Sequence, residues 1–127
     1  MPVVRDAAHL SLEAVARESA RLIGATRAGT LRPAELDGAT FTITNLGMFE
    51  IDAFTPMVNL PQCAILGIGR IVARLVVVDD ASEQVAVRRM LSLSLTFDHR
   101  LVDGAPAARF LQRIKHFVER PTLWLFR

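Results

Sequence analysis

The feature that most limits how this chain can fold is a strand-to-helix junction in its last third. Val85, Val87, Leu91, Leu93, Leu95 and Phe97 alternate with their neighbours, the period of a strand with one apolar face. Over residues 104–118 the period changes. Ala108, Phe110, Leu111, Ile114, Phe117 and Val118 form the broad stripe of a helix packed against a sheet, and Pro121 ends it. Between the two stands Asp98-His99-Arg100-Leu101-Val102-Asp103-Gly104, one tight turn that gathers charges directly after an apolar strand. A long strand needs a partner. Residues 64–78 supply it as two buried strands separated by Gly67-Ile68-Gly69-Arg70, with Asp79-Asp80-Ala81-Ser82 as the turn that pairs the long strand back on them.

Upstream, Pro2-Val3-Val4-Arg5 reads as the end of an extended segment. Ser11 caps a helix whose apolar positions Leu12, Val15, Ala16, Leu22 and Ile23 recur at helical spacing to about Ala28, where Gly29 supplies a stop. Pro33-Ala34-Glu35-Leu36 makes a short helical turn, ended at Asp37-Gly38. Phe41-Thr42-Ile43-Thr44 alternates as a half-buried strand with Thr44 at its end, and Asn45-Leu46-Gly47 opens a loop reaching about Asp52. Pro56 and Pro61 bracket a further irregular stretch. The apolar tail Leu123-Trp124-Leu125-Phe126 is too short for its own helix and is expected to dock on another surface.

With 127 residues, 51% of them apolar, the chain has material for one globular domain spanning 1–127. No apolar run approaches the ~20 residues that cross a bilayer, and no basic-then-apolar leader opens the sequence, so the expectation is a soluble, cytoplasmic protein without a membrane partner. The net charge of +2 is scattered rather than clustered, which argues against nucleic acid. The single Cys63 sits in an apolar run and reads as a small hydrophobe. Lys115 is the only lysine and lies in a helical pattern, so no lysine suits a covalent lipoyl arm.

His99 leaves the strand end into a strand-to-helix loop, and histidine is the side chain whose unperturbed pKa near ~6.5 suits general-base work at physiological pH. A lone histidine is more often a plain surface or satisfied side chain, the reading given to His9 and His116. His99 is set apart by its neighbours Asp98, Arg100 and Asp103. His99 and Asp103 could also face one metal at i, i+4 spacing, but no third ligand accompanies them, and no metal is expected.

Five blocks in order now carry a resemblance: Pro2-Val3-Val4-Arg5-Asp6-Ala7; Phe41-Thr42-Ile43-Thr44-Asn45-Leu46-Gly47-Met48-Phe49; Phe54-Thr55-Pro56-Met57-Val58-Asn59; Pro61-Gln62-Cys63-Ala64-Ile65-Leu66-Gly67; and Leu93-Ser94-Leu95-Thr96-Phe97 running into the charged turn and Ala105. The chain resembles the catalytic domain of dihydrolipoamide acyltransferases, the core subunits of 2-oxo acid dehydrogenase complexes. The resemblance implies an α/β fold, an α+β two-layer sandwich in which helices pack a mixed sheet, as in chloramphenicol acetyltransferase. It covers the C-terminal half of such a domain.

By the same resemblance, the substrates are CoA and lipoamide. His99 corresponds to the general base, Thr44 to the hydroxyl that stabilises the oxyanion, and Asp103 to the residue that holds loop and imidazole in place. Phe54, Leu66 and Asn45 correspond to the CoA channel, although Phe54 and Leu66 read equally well as core. The family's site lies between subunits of a trimer, and trimers build cubic or icosahedral cores with other subunits of the complex. Because the family's domain is about twice as long, three readings stay open: a portion of a longer acyltransferase, a chain that works with a companion chain, or a shortened non-catalytic paralogue acting as an oligomeric scaffold. Acyl specificity is not legible.

Overall fold

The computed structural model describes residues 1–79 and 81–122; the apolar tail lies outside the described residues. The chain forms two compact units, Met1–Thr40 and the part from Phe41 onward.

In the first unit, Pro2 to Val4 form no strand. Val3 donates a single backbone hydrogen bond to the Glu35 carbonyl (2.8 Å), and Asp6, at φ 52°, turns the chain away from extended geometry. Helix α1, Leu12–Ala28, begins where Ser11 Oγ accepts the Ala14 N–H (3.2 Å). It stops at Gly29, whose φ of 67° lets its N–H turn back to the Ala25 and Thr26 carbonyls. The expected apolar stripe is only partly buried: Leu22 is enclosed and Val15 half-buried, whereas Leu12, Ala16 and Ile23 are exposed. The short turn at Pro33–Glu35 is a 3-10 helix. Glu35 anchors it, accepting the Arg32 backbone N–H (2.9 Å) and the guanidinium groups of Arg21 (2.8 Å) and Arg32 (3.2 Å).

The second unit is built on a three-stranded mixed sheet. Strand β1, Phe41–Asn45, runs parallel to β2, Ala64–Ile68. A parallel return needs a long crossover, and residues 46–63 provide it as a loop with one 3-10 turn at Gly47–Phe49. The long strand expected over residues 85–97 is two strands. Strand β4, Gln84–Met90, pairs antiparallel with β3, Val72–Asp79, as a separate ribbon, while β5, Leu93–Phe97, pairs antiparallel with β2. The ladder breaks where the Gly69 N–H bonds to the Ser92 carbonyl (3.0 Å) between the two pairs.

The buried-strand expectation holds for β2 but not for β3. Leu75, Val77, Val85 and Val87 share one ribbon face and are all more than half exposed, because no further layer of the described residues covers them. Helix α2, Gly104–Glu119, matches its predicted span to within a residue. It packs on the sheet through Ala107 and through Phe110, whose ring meets Phe41 edge-on at 5.8 Å. Phe41 and its register partners Ala64 and Phe97 therefore mark the helix-covered face.

Candidate active site

The β2–β5 ladder runs one bond beyond β5, where Asp98 N–H reaches the Cys63 carbonyl (2.9 Å). The chain then turns sharply, with the Leu101 and Val102 N–H groups both donating to the Asp98 carbonyl (3.0 and 3.1 Å). The Asp98 carboxylate, only 13% exposed, holds that turn. It accepts the Arg100 guanidinium through Nε (2.9 Å) and Nη2 (2.6 Å), and the Arg100 backbone N–H (3.0 Å). The guanidinium, followed by the backbone N–H, lowers the Asp98 pKa to about 2, so this charge is fixed at any physiological pH. Asp98 and Arg100 thus form an ion-paired scaffold for the turn.

On that turn His99 is exposed. Its ring lies against Phe97, two residues earlier, with centroids 5.6 Å apart, so it stands on the helix-covered face. Asp103 is the N-cap of α2, where its carbonyl accepts the Ala107 N–H (3.2 Å) but its carboxylate caps no N–H. No hydrogen bond among the described residues joins Asp103 to His99. Among them, too, no three His, Cys, Asp or Glu side chains cluster as a metal-binding set.

Thr44 is elsewhere. It lies half-buried on edge strand β1, in register with Gly67 of β2, which is in register with Ser94 of β5. This row is three positions from the Phe41–Ala64–Phe97 row, which puts the Thr44 and Phe97 Cα atoms roughly 14 Å apart at standard strand rise and spacing. An odd number of positions also reverses the side-chain direction, so Thr44 points to the face opposite Phe97 and His99. Within one chain the two residues do not meet.

The three expected channel residues are likewise divided. Phe54 lies over Gly67: a Cβ on that glycine would stand 3.0 Å from Phe54 Cζ and 3.3 Å from Pro56 Cδ. The Phe54 ring therefore covers the Thr44 face. Leu66, 4% exposed, is one register position away and points to the opposite face as core. Asn45 turns its Oδ1 onto the Gly47 N–H (2.8 Å), closing the turn that ends β1.

Two supports of the Thr44 face escaped the sequence reading. Thr42 Oγ1 donates to Gln62 Oε1 (2.6 Å) in a buried pair that ties β1 to the crossover loop. Gly69 lets that loop pass so closely that a Cβ there would overlap the Asp52 carbonyl oxygen, and Asp52 is ion-paired with Arg70 beside it. A glycine inside a strand pattern signals close backbone approach, so Gly67 and Gly69 carried that signal in the sequence.

The chain matches the family described as 2-oxoacid dehydrogenases acyltransferase (catalytic domain) over residues 1–126. The dihydrolipoyllysine-residue acetyltransferase component of the Mycobacterium bovis pyruvate dehydrogenase complex is 51% identical over 120 residues, which are 93% of this chain and 22% of that protein. A dihydrolipoamide acetyltransferase from Azotobacter vinelandii, studied for the role of a serine, a histidine and an asparagine in its catalytic mechanism, superposes with a TM-score of 0.88 at 39% identity. The cubic core of a pyruvate dehydrogenase multienzyme complex does so with a TM-score of 0.88 at 38% identity. Each of the two superpositions covers 98% of this chain and 50% of the solved one, so the chain spans about half of those chains. The chain belongs to the family of 2-oxoacid dehydrogenase acyltransferase catalytic domains.

Proposed function

We propose that this chain takes part in acyl exchange between dihydrolipoamide and CoA, with His99 as general base and Thr44 as oxyanion donor, each site being completed by two neighbouring copies. The observation that carries the reading is the exposed imidazole at the end of β5, held on a turn pinned by the Asp98–Arg100 pair. A thiol of pKa near ~8.5 is mostly protonated at neutral pH and needs such a base. In the step, the attacking thiol gives its proton to the imidazole while its sulfur bonds to the thioester carbon. The carbonyl oxygen becomes an oxyanion that accepts a hydrogen bond from the Thr44 hydroxyl. Collapse expels the other thiolate, which takes the proton back from the imidazolium.

The Azotobacter enzyme supports the assignment, since its studied histidine and asparagine are four residues apart, as His99 and Asp103 are here. Asp103 then acts as the residue that orients the turn when the site is assembled. Self-association into trimers, and of trimers into a larger core with other subunits of the complex, follows by analogy with the cubic-core relative. The half-length match supports a second reading, an assembly module that does not catalyse.

One assay separates the two. Acyl transfer from acyl-CoA to dihydrolipoamide is measured on the protein in its native assembly, and His99→Ala is expected to lower turnover by about 10²–10⁴-fold. Wild-type turnover in that variant refutes the catalytic assignment, and no transfer by the parent assembly leaves the scaffold.

A further inference from the structure

We propose that Gly67 is a positioning residue for Thr44: its bare Cα seats the Phe54 ring against the sheet beside the threonine hydroxyl, and the ring in turn walls the place where the acyl thioester is held. The inference rests on the reading of Thr44 as oxyanion donor, and it assigns to Gly67 a role that nothing in the motif around His99 requires.

The argument begins with the row Thr44–Gly67–Ser94. These three Cα atoms lie side by side across β1, β2 and β5, so their side-chain positions project from the same face, with neighbouring strands roughly 4.8 Å apart. Two of the three positions carry hydroxyls and the central one carries nothing. Into that gap comes Phe54. Its Cζ and Cε2 would lie 3.0 and 3.3 Å from a Cβ on Gly67, closer than a side chain there would permit without displacement. The ring is therefore set between two polar neighbours, against backbone, at a depth that only glycine allows.

The surroundings fix that seat. Pro56 is buried and would also touch a Gly67 Cβ at 3.3 Å, so the loop carrying Phe54 presses on the same spot with a rigid ring. The loop's ends are pinned independently, by the Arg70 N–H on the Ile51 carbonyl (2.8 Å) and by the buried Thr42–Gln62 hydrogen bond. Phe54 itself remains half-buried. Its edge rests on Gly67, and the rest of the ring offers an apolar surface on the sheet face from which Thr44, the register neighbour of Gly67, also projects. An apolar wall there excludes water from a donor whose hydrogen bond to an oxyanion is strong only when desolvated. Its depth sets how near the thioester carbonyl comes to the threonine.

The test is a kinetic cycle on the protein in its native assembly. Gly67→Ala must push the ring outward by a few tenths of an ångström. We expect kcat to fall about tenfold while KM for CoA changes by less than about threefold, since the misplacement acts on alignment rather than affinity. Phe54→Leu removes the ring edge that collides. It should lower kcat by itself, and adding Gly67→Ala to it should cost less than about threefold more. A Gly67→Ala enzyme with unchanged kcat overturns the proposal. So does a full further tenfold loss in the double variant, which would mean the glycine acts independently of the ring. If Gly67→Ala does not fold, Phe54→Leu alone decides, and unchanged kcat in it overturns the proposal. Thr44→Ala run alongside separates the two levels: wild-type turnover there sinks the reading of Thr44, whereas a dead Thr44→Ala with a normal Gly67→Ala sinks only the role of Gly67.

Discussion

His99 and Thr44 stand on opposite faces of one three-stranded sheet, toward opposite ends of its ladder. If both serve one reaction, they come from two chains. This gives a complementation test in which His99→Ala and Thr44→Ala assemblies each keep about a hundredth of the parent turnover or less. When the two variants are unfolded together and reassembled at equal ratio, about one site in four of a cyclic trimer receives both intact residues. Recovery of about a quarter of the parent turnover is expected, and no recovery would refute a site shared by His99 and Thr44 of two chains.

Thr44→Ala should lower kcat by about 100-fold, the loss expected when a single oxyanion donor worth about 3 kcal/mol is removed, with little change in KM. Thr44→Ser keeps the hydroxyl and should retain turnover within about threefold. Equal losses in the two variants would show that the methyl group, not the hydroxyl, matters.

The sequence made local geometry readable where one residue decides it. Ser11 and Gly29 bracket α1 because a cap and a left-handed stop are properties of single side chains. The turn carrying His99 was legible because a 2-residue period gave way to a 3.6-residue one across a charged segment. The break at Ser92 was not. Alternation continues through it, and only the bond from Gly69 reveals that the strand changes partner. Nor could the sequence say that Phe54 and Leu66 face opposite ways or that the ribbon face around Leu75 is exposed. Both depend on register and on covering layers, which apolarity does not encode.

Glu35 makes the stability of the first unit depend on acid. The Arg32 backbone N–H, then the Arg32 and Arg21 guanidinium groups, lower its pKa from an ordinary 4.5 to about 2. A carboxyl whose folded pKa lies below its unfolded value binds protons more readily when unfolded. Its contribution is therefore fully present above pH 4.5 and is lost as pH falls toward 2. Thermal unfolding followed across that window should show a falling midpoint, and Glu35→Gln should flatten the fall while lowering the midpoint at neutral pH. An unchanged slope in the variant would assign the acid sensitivity to other carboxylates, Asp98 first among them.

Two glycine-to-alanine changes should have opposite signs. At Gly69 the added Cβ would overlap the Asp52 carbonyl oxygen, backbone that cannot swing aside while Arg70 N–H bonds to Ile51 and Gly69 N–H to Ser92. The crossing must open, at a cost of about 3 kcal/mol by overpacking or more. For a chain of this size that is a fall in Tm of roughly 10 °C. Gly24 sits exposed inside α1 with nothing within 4 Å of its Cβ position, so alanine there gains helix propensity and should stabilise by up to about 1 kcal/mol. Calorimetry on both variants checks the pair. A Gly69→Ala protein as stable as the parent would mean that the loop at Asp52 yields freely and that the close crossing contributes nothing to stability.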